Sequence, residues 1–143
     1  MTPMLLDRPQ TGRPADAPAP PRPRRRWSDK FREAFRGIKL GVRGHSSFFV
    51  HFFFAAFVVV AAIVLRCDLL EWCLLLACIG AVLTAELFNS AVETLFRGLD
   101  GAARERLYGC LDIAAGAVLT ASITAAVVGG LIFGRRLLIL LGP

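Results

Sequence analysis

The sequence predicts an all-α membrane protein, with one N-terminal amphipathic surface helix followed by three transmembrane helices. Three observations carry this expectation. Hydrophobic residues make up 55% of the 143 residues, and the mean hydropathy is +0.57, well above that of a soluble domain. Three apolar runs, over about 46–65, 69–92 and 113–133, are each long enough to cross a hydrocarbon core of roughly 30 Å. The segment before them alternates apolar and basic residues at helical spacing. The length allows one membrane domain, 27–143, and no second globular domain.

Residues 1–26 hold most of the chain's eight prolines and show no apolar periodicity. They read as a disordered, cytoplasmic tail ending in the basic run Arg22-Pro23-Arg24-Arg25-Arg26. The tail does not read as a signal peptide, because no short apolar stretch with a cleavage site comes first. The net charge is +6. Base clustered beside apolar spans points to anionic headgroups and to orientation. Aromatic and basic residues do not interleave in the pattern of a nucleic-acid surface.

The surface helix is expected over 28–44. Ser28 is its predicted N-cap. Phe31, Phe35, Ile38 and Val42 form the apolar face, and Lys30, Arg32, Arg36, Lys39 and Arg43 the polar one. That pattern suits a helix lying in the interface. Gly37, Gly41 and Gly44 weaken it but permit close approach by another helix or a ligand.

The first two spans are joined only by Arg66-Cys67-Asp68 and must form an antiparallel hairpin. The second and third are joined by a charged segment, 94–112. An arginine-rich N-terminus stays cytoplasmic by the positive-inside rule. The turn at Arg66 is then external and the end of the second span cytoplasmic. Arg135 and Arg136 oppose this orientation but are outnumbered. Ala77, Ala81 and Ala85 on the second span, and Ala117, Ala121, Ala125 and Gly129 on the third, predict close helix packing. His51, the only titratable residue of the first span, is expected to pack or to make an interhelical contact. Cys67, Cys73, Cys78 and Cys110 form no CxxC pair or zinc spacing and read as small hydrophobes.

The second span ends in Glu86, Asn89, Ser90 and Glu93, spaced i, i+3, i+4 and i+7 on one helical face. Ionisable groups in a span are expensive and mark function by default. Two carboxylates and an amide at a membrane surface suit Mg²⁺-nucleotide binding, since Mg²⁺ takes one or two carboxylates plus phosphate oxygens. Phosphoryl transfer also needs an acceptor hydroxyl oriented by a carboxylate. Glu86, about two turns deeper, suits a lipid hydroxyl; Glu93 suits metal and nucleotide. The bland alternative is a structural cluster in which Glu93 pairs with Arg97 one turn later. There is no GxxxxGK[ST] loop and no kinase-type catalytic loop.

Glu86-x-x-Asn89-Ser90-Ala91-Val92-Glu93 resembles the signature of the small bacterial integral-membrane diacylglycerol kinases, a family that includes the undecaprenol kinases. Leu111-Asp112-Ile113-Ala114-Ala115-Gly116-Ala117-Val118 resembles a second family segment. Phe35-Arg36-Gly37-Ile38-Lys39 resembles the surface helix, and Leu70-Glu71-Trp72 the start of the second span in the undecaprenol branch. The likeness covers about 31–133. It implies an ATP-dependent lipid kinase of the bacterial inner membrane, phosphorylating diacylglycerol or undecaprenol. It also implies a homotrimer with active sites shared between protomers. Glu86 would be the catalytic base, Glu93 a Mg²⁺ ligand, and Asn89, Ser90 and Asp112 would bind nucleotide or ligand.

Three positions depart from the family pattern. His45 stands where a second metal-ligand glutamate is usual; imidazole suits Mn²⁺ better than Mg²⁺. Arg97 replaces an aspartate, and Leu111 a lysine. Arg97 is a candidate for the lost lysine's phosphate contact. The alternatives are a non-catalytic protein of the same fold, inactivated at His45, Arg97 and Leu111, or a small transporter. A single protomer is expected to leave the carboxylate stripe facing lipid, so assembly or ligand must cover it.

Overall fold

The computed structural model describes residues 26–43 and 47–142. The expectations for residues 1–25, Gly44 and His45 lie outside the described residues. Among those described, there are five α-helices and no strands: α1 (Trp27–Arg43), α2 (Ser47–Val64), α3 (Leu69–Arg97), α4 (Gly101–Leu107) and α5 (Gly109–Leu141). α3 and α5 are each long and apolar enough to cross a membrane alone, and α2 supplies a third span when counted with α1 as one bent pair.

α1 begins one residue before the expected start. Arg26 O accepts from the backbone N–H groups of Asp29 and Lys30, so the first turn closes on Arg26 and Ser28 is already helical rather than the N-cap. Trp27, Phe31, Phe35 and Ile38 are all exposed, as an interfacial helix requires.

α3 and α5 outrun the apolar stretches that predict them. At 1.5 Å per residue their 29 and 33 residues span about 44 and 50 Å, more than the roughly 30 Å core. α3 continues past Val92 to Arg97 because nothing breaks the helix before Gly98, whose N–H donates to Leu95 O while Leu99 N–H donates to Phe96 O. The charged segment 94–112 is mostly helical: the end of α3, the short α4, and the start of α5. Asp100 caps α4, its Oδ1 accepting from Ala103 N at 2.9 Å.

The turn between α2 and α3 is closed from both sides. Arg66 takes the left-handed conformation, φ 51°. Cys67 N donates to Ala62 O at 3.0 Å and Arg66 N to Ile63 O at 3.1 Å. These are the two bonds of a Schellman cap. Asp68 then caps α3 in a capping box: Asp68 Oδ1 accepts from Glu71 N at 3.0 Å, and Asp68 N donates to Glu71 Oε2 at 2.9 Å.

α5 returns antiparallel to α3, and this pair is the main packing contact. The core lies at the turn end, where Ala62, Leu75 and Ile132 are buried together with Val58, Cys67, Trp72, Val128 and Phe133 around them. Gly129 is buried there against Leu75. The small-residue expectation holds only in part. Ala121, Ala125 and Gly129 face inward, whereas Ala77, Ala81 and Ala117 are exposed, because α3 turns its Leu75 face to α5.

α1 reaches α3 at one point. A Cβ on Gly41 would lie 2.8 Å from Leu87 Cδ2, so the missing side chain lets the surface helix touch α3 beside Glu86. Thr120 and Thr124 return their hydroxyls to the carbonyls of Gly116 and Thr120, both within 3.0 Å. That satisfies them inside an apolar helix.

Candidate active site

The expected face of α3 exists, and its deeper part is covered within one chain. Glu86 and Ser90 are each 2% exposed, while Asn89 and Glu93 are half-buried. The expectation that a lone protomer leaves the stripe facing lipid is therefore corrected for Glu86 and Ser90, while Asn89 and Glu93 stay partly exposed. The first turns of α2 and the Gly41 contact of α1 pack over it, and Phe48 is buried alongside.

His51 of α2 faces the deeper carboxylate, with Nε2 3.7 Å from Glu86 Oε2. This is the interhelical contact anticipated for His51. Its choice of Glu86 as partner was not legible, because it depends on how α2 is rotated. Two turns along α3, Asn89 Nδ2 donates to Glu93 Oε1 at 3.1 Å. Thr94 Oγ1 donates to Ser90 O at 2.8 Å. Ser90 Oγ, by contrast, is the one buried side-chain polar atom without a hydrogen-bond partner among the described residues. A buried hydroxyl left unsatisfied costs about 1–3 kcal/mol, so it is a place where a ligand atom would gain.

Arg97 makes the contact that the bland alternative foresaw. Its Nη2 lies 3.9 Å from Glu93 Oε2, and its Nε donates to Glu93 O at 3.4 Å. The side chain is 61% exposed, so the pair is weak. Arg104 Nη2 donates to Arg97 O at 3.1 Å, and its guanidinium lies 5.6 Å from the Phe96 ring centre. Phe96 in turn meets Tyr108 edge-on at 6.0 Å. This cluster folds the α3–α4–α5 connection beside the stripe.

Asp112 sits exposed in the first turn of α5. Among the described residues, no hydrogen bond or ion pair joins it to the stripe. The structure thus brings Glu86, Asn89, Ser90, Glu93 and Arg97 together and leaves Asp112 apart. His45 lies outside the described residues.

An apolar groove of about 360 Å³ runs between α2, α3 and α5. Phe54, Val58, Leu75, Val82, Leu83 and Gly129 are among its walls, and His51 is its only titratable imidazole. The groove therefore leads along the spans to the residue that faces Glu86.

Among the described residues, no three His, Cys, Asp or Glu side chains gather as a metal cage. Glu93 and Asn89 instead form a hard-oxygen pair beside the unsatisfied Ser90 hydroxyl. Such a set fits a Mg²⁺ that arrives on nucleotide phosphates, because one or two carboxylates then suffice.

These features define a class: a helical membrane protein with a buried carboxylate beside an apolar groove and a second carboxylate two turns outward. The family described as prokaryotic diacylglycerol kinase matches residues 32–133, and the chain belongs to that family. It is also 28% identical over 112 residues to the undecaprenol kinase of Bacillus subtilis strain 168, an overlap of 78% of this chain and 91% of that enzyme. No solved structure matches the chain significantly. Family and relative together make it a lipid kinase.

Proposed function

We propose that this protein transfers the γ-phosphate of ATP to the hydroxyl of a membrane lipid alcohol. The observation that carries this is the burial of Glu86 beside the apolar groove, with Asn89 one turn and Glu93 two turns outward on the same face. Glu86 is the general base. It takes the proton of the lipid hydroxyl as that oxygen bonds to the γ-phosphorus, and the bond from the γ-phosphorus to the bridging oxygen of ADP breaks.

Glu93 and Asn89 hold the metal-nucleotide, with Ser90 supplying a buried hydroxyl beside them. When bound, Mg²⁺ would neutralise phosphate charge and align the γ-phosphoryl group; Mn²⁺ suits a site that includes His45. Asp112 and Arg97 orient the nucleotide from the edge, Asp112 moving into range when ligand or a neighbouring protomer completes the site. Arg97 would exchange its long contact with Glu93 for phosphate oxygens, which guanidinium matches well.

The acceptor's body is apolar, as the groove lining suggests. Undecaprenol is favoured over diacylglycerol, on the similarity to the Bacillus subtilis enzyme and on Leu70-Glu71-Trp72. The site works in a homotrimer of the bacterial inner membrane, with residues 27–143 as the kinase domain, 1–26 as a tail and the N-terminus cytoplasmic. The exposed Ala77 and Ala81 of α3 suit close packing by a helix of another copy. Arg135 and Arg136, which oppose this orientation, are outnumbered by the N-terminal arginines.

The test is direct. Purified protein in mixed micelles is given labelled ATP, Mg²⁺ or Mn²⁺, and undecaprenol or diacylglycerol. Labelled lipid phosphate is expected, more from undecaprenol. No product with either lipid under either metal would favour the non-catalytic alternative.

A further inference from the structure

His51 is the one feature of the site that the transfer described above leaves unused. It lies on α2, one turn after the buried Phe48 and among phenylalanines, and it lines the apolar groove. A polar ring in such a wall is costly unless it has a polar partner. Its Nε2 points to one, 3.7 Å from Glu86 Oε2, with side-chain exposures of 19% and 3%. The partner is the group proposed to take the lipid's proton. The contact therefore spans two helices, at the place where groove and carboxylate meet.

We propose that His51 is a positioning residue for Glu86. Its ring N–H holds one carboxylate oxygen of Glu86 so that the other is presented to the lipid hydroxyl at the end of the groove. This rests on Glu86 acting as base. At 3.7 Å the contact is longer than a hydrogen bond, and contacts of this kind tighten when substrate binds. The fixed direction matters because Glu has three rotatable bonds, and a base misplaced by an ångström loses much of its effect. With the nucleotide held at Glu93 and Asn89, as proposed above, the effect of His51 falls on turnover and not on the apparent KM for ATP.

Packing and positioning make opposite predictions. His51→Phe and His51→Leu preserve an apolar wall and remove the N–H. His51→Gln keeps an N–H donor and packs less well. The expected result, in the labelled-ATP assay with undecaprenol, is a kcat lowered roughly 10–100-fold in the Phe and Leu variants. The KM for ATP should stay unchanged, and His51→Gln should recover most of the loss. A Phe or Leu variant with wild-type kcat, or the reverse ranking, overturns the proposal. Unfolding of both apolar variants would make His51 a structural residue and overturn it too. An inactive wild type would instead end the assignment of Glu86 as base; an active wild type with an active His51→Phe ends only the role given to His51.

Discussion

The two ends of the α3–α5 pair carry similar groups and close them differently. At the turn end, Asp68 and Glu71 meet Arg135 and Arg136. All four carboxylate oxygens there have a partner within about 3 Å: Asp68 Oδ1 with Glu71 N, Asp68 Oδ2 with Arg136, Glu71 Oε1 with Arg135, and Glu71 Oε2 with Arg136. At the other end, Glu86 faces His51 at 3.7 Å, Glu93 accepts from Asn89 Nδ2 at 3.1 Å and lies 3.9 Å from Arg97, and the buried Ser90 hydroxyl is unsatisfied. A saturated cluster is a clamp; it has no capacity left for a ligand. A cluster with a buried orphan hydroxyl can gain by binding one. Two carboxylates on a membrane helix are thus not in themselves a site. The geometry of their neighbours decides.

Glu71 and Glu86 break this comparison most severely if they respond alike. Glu86→Gln is expected to lower turnover about 10²–10⁴-fold, the range for a lost general base, with the thermal midpoint unchanged. Glu71→Gln should do the opposite. It leaves two arginines without their shared partner, so the midpoint falls by several degrees while the folded fraction turns over normally. Paired assays of lipid phosphate formation and thermal unfolding, in the same detergent, read both. A dead, fully stable Glu71→Gln would show that the clamp is part of the chemistry.

Glu93 sharpens the contrast within the stripe. Glu93→Gln should weaken activation by Mg²⁺ roughly 10–100-fold, the range for disturbed metal sites, and excess Mg²⁺ should recover part of the rate. Glu86→Gln should show no such recovery. Arg97→Ala has a smaller effect, because the side chain is mostly exposed and ion contacts there are worth about 1 kcal/mol or less. A raised apparent KM for ATP is expected. An unchanged KM would leave Arg97 as a partner of Glu93 only.

Most of the helical order was legible, because apolar run lengths and a single helical stripe survive without tertiary information. The stripe Glu86–Glu93 needed only the 3.6-residue period. The capping box was also present as Asp68-x-x-Glu71, a readable signature. Its extension to Arg135 and Arg136 was not, since those residues lie 64 to 68 positions away. Their pairing depends on where α5 stops sliding along α3. For the same reason the role of the two arginines as partners of Asp68 and Glu71 was hidden. The partner of His51 was hidden by the unknown rotation of α2. The helical character of 94–112 was hidden by charge, which marks a solvated helix as readily as a loop.

Cys67 offers the finest probe of the closed end. Its thiol packs beside the core of Ala62, Leu75 and Ile132. Burial pushes its pKa above the ordinary thiol value, and the nearby Glu71 carboxylate adds to the rise. The thiolate is the nucleophile, so iodoacetamide should alkylate Cys67 more slowly in the folded protein than after unfolding. The linkage has a definite sign. The unfolded thiol loses its proton at lower pH than the folded one, so between the two pKa values the unfolded state binds fewer protons. The contribution of Cys67 is intact below the unfolded value and is lost as pH rises through the folded one. Alkaline unfolding of this end should therefore begin earlier in wild type than in Cys67→Ser, which lacks the titrating thiol. The alkylation rate, read by mass spectrometry, should also rise in Arg135→Ala, which loosens the clamp at Glu71 and keeps the Arg136 charge beside the thiol. If instead Cys67 reacts at the same rate in the clamp variant and in wild type, the saturated cluster does not hold the turn shut, and the contrast between the two ends loses its structural half.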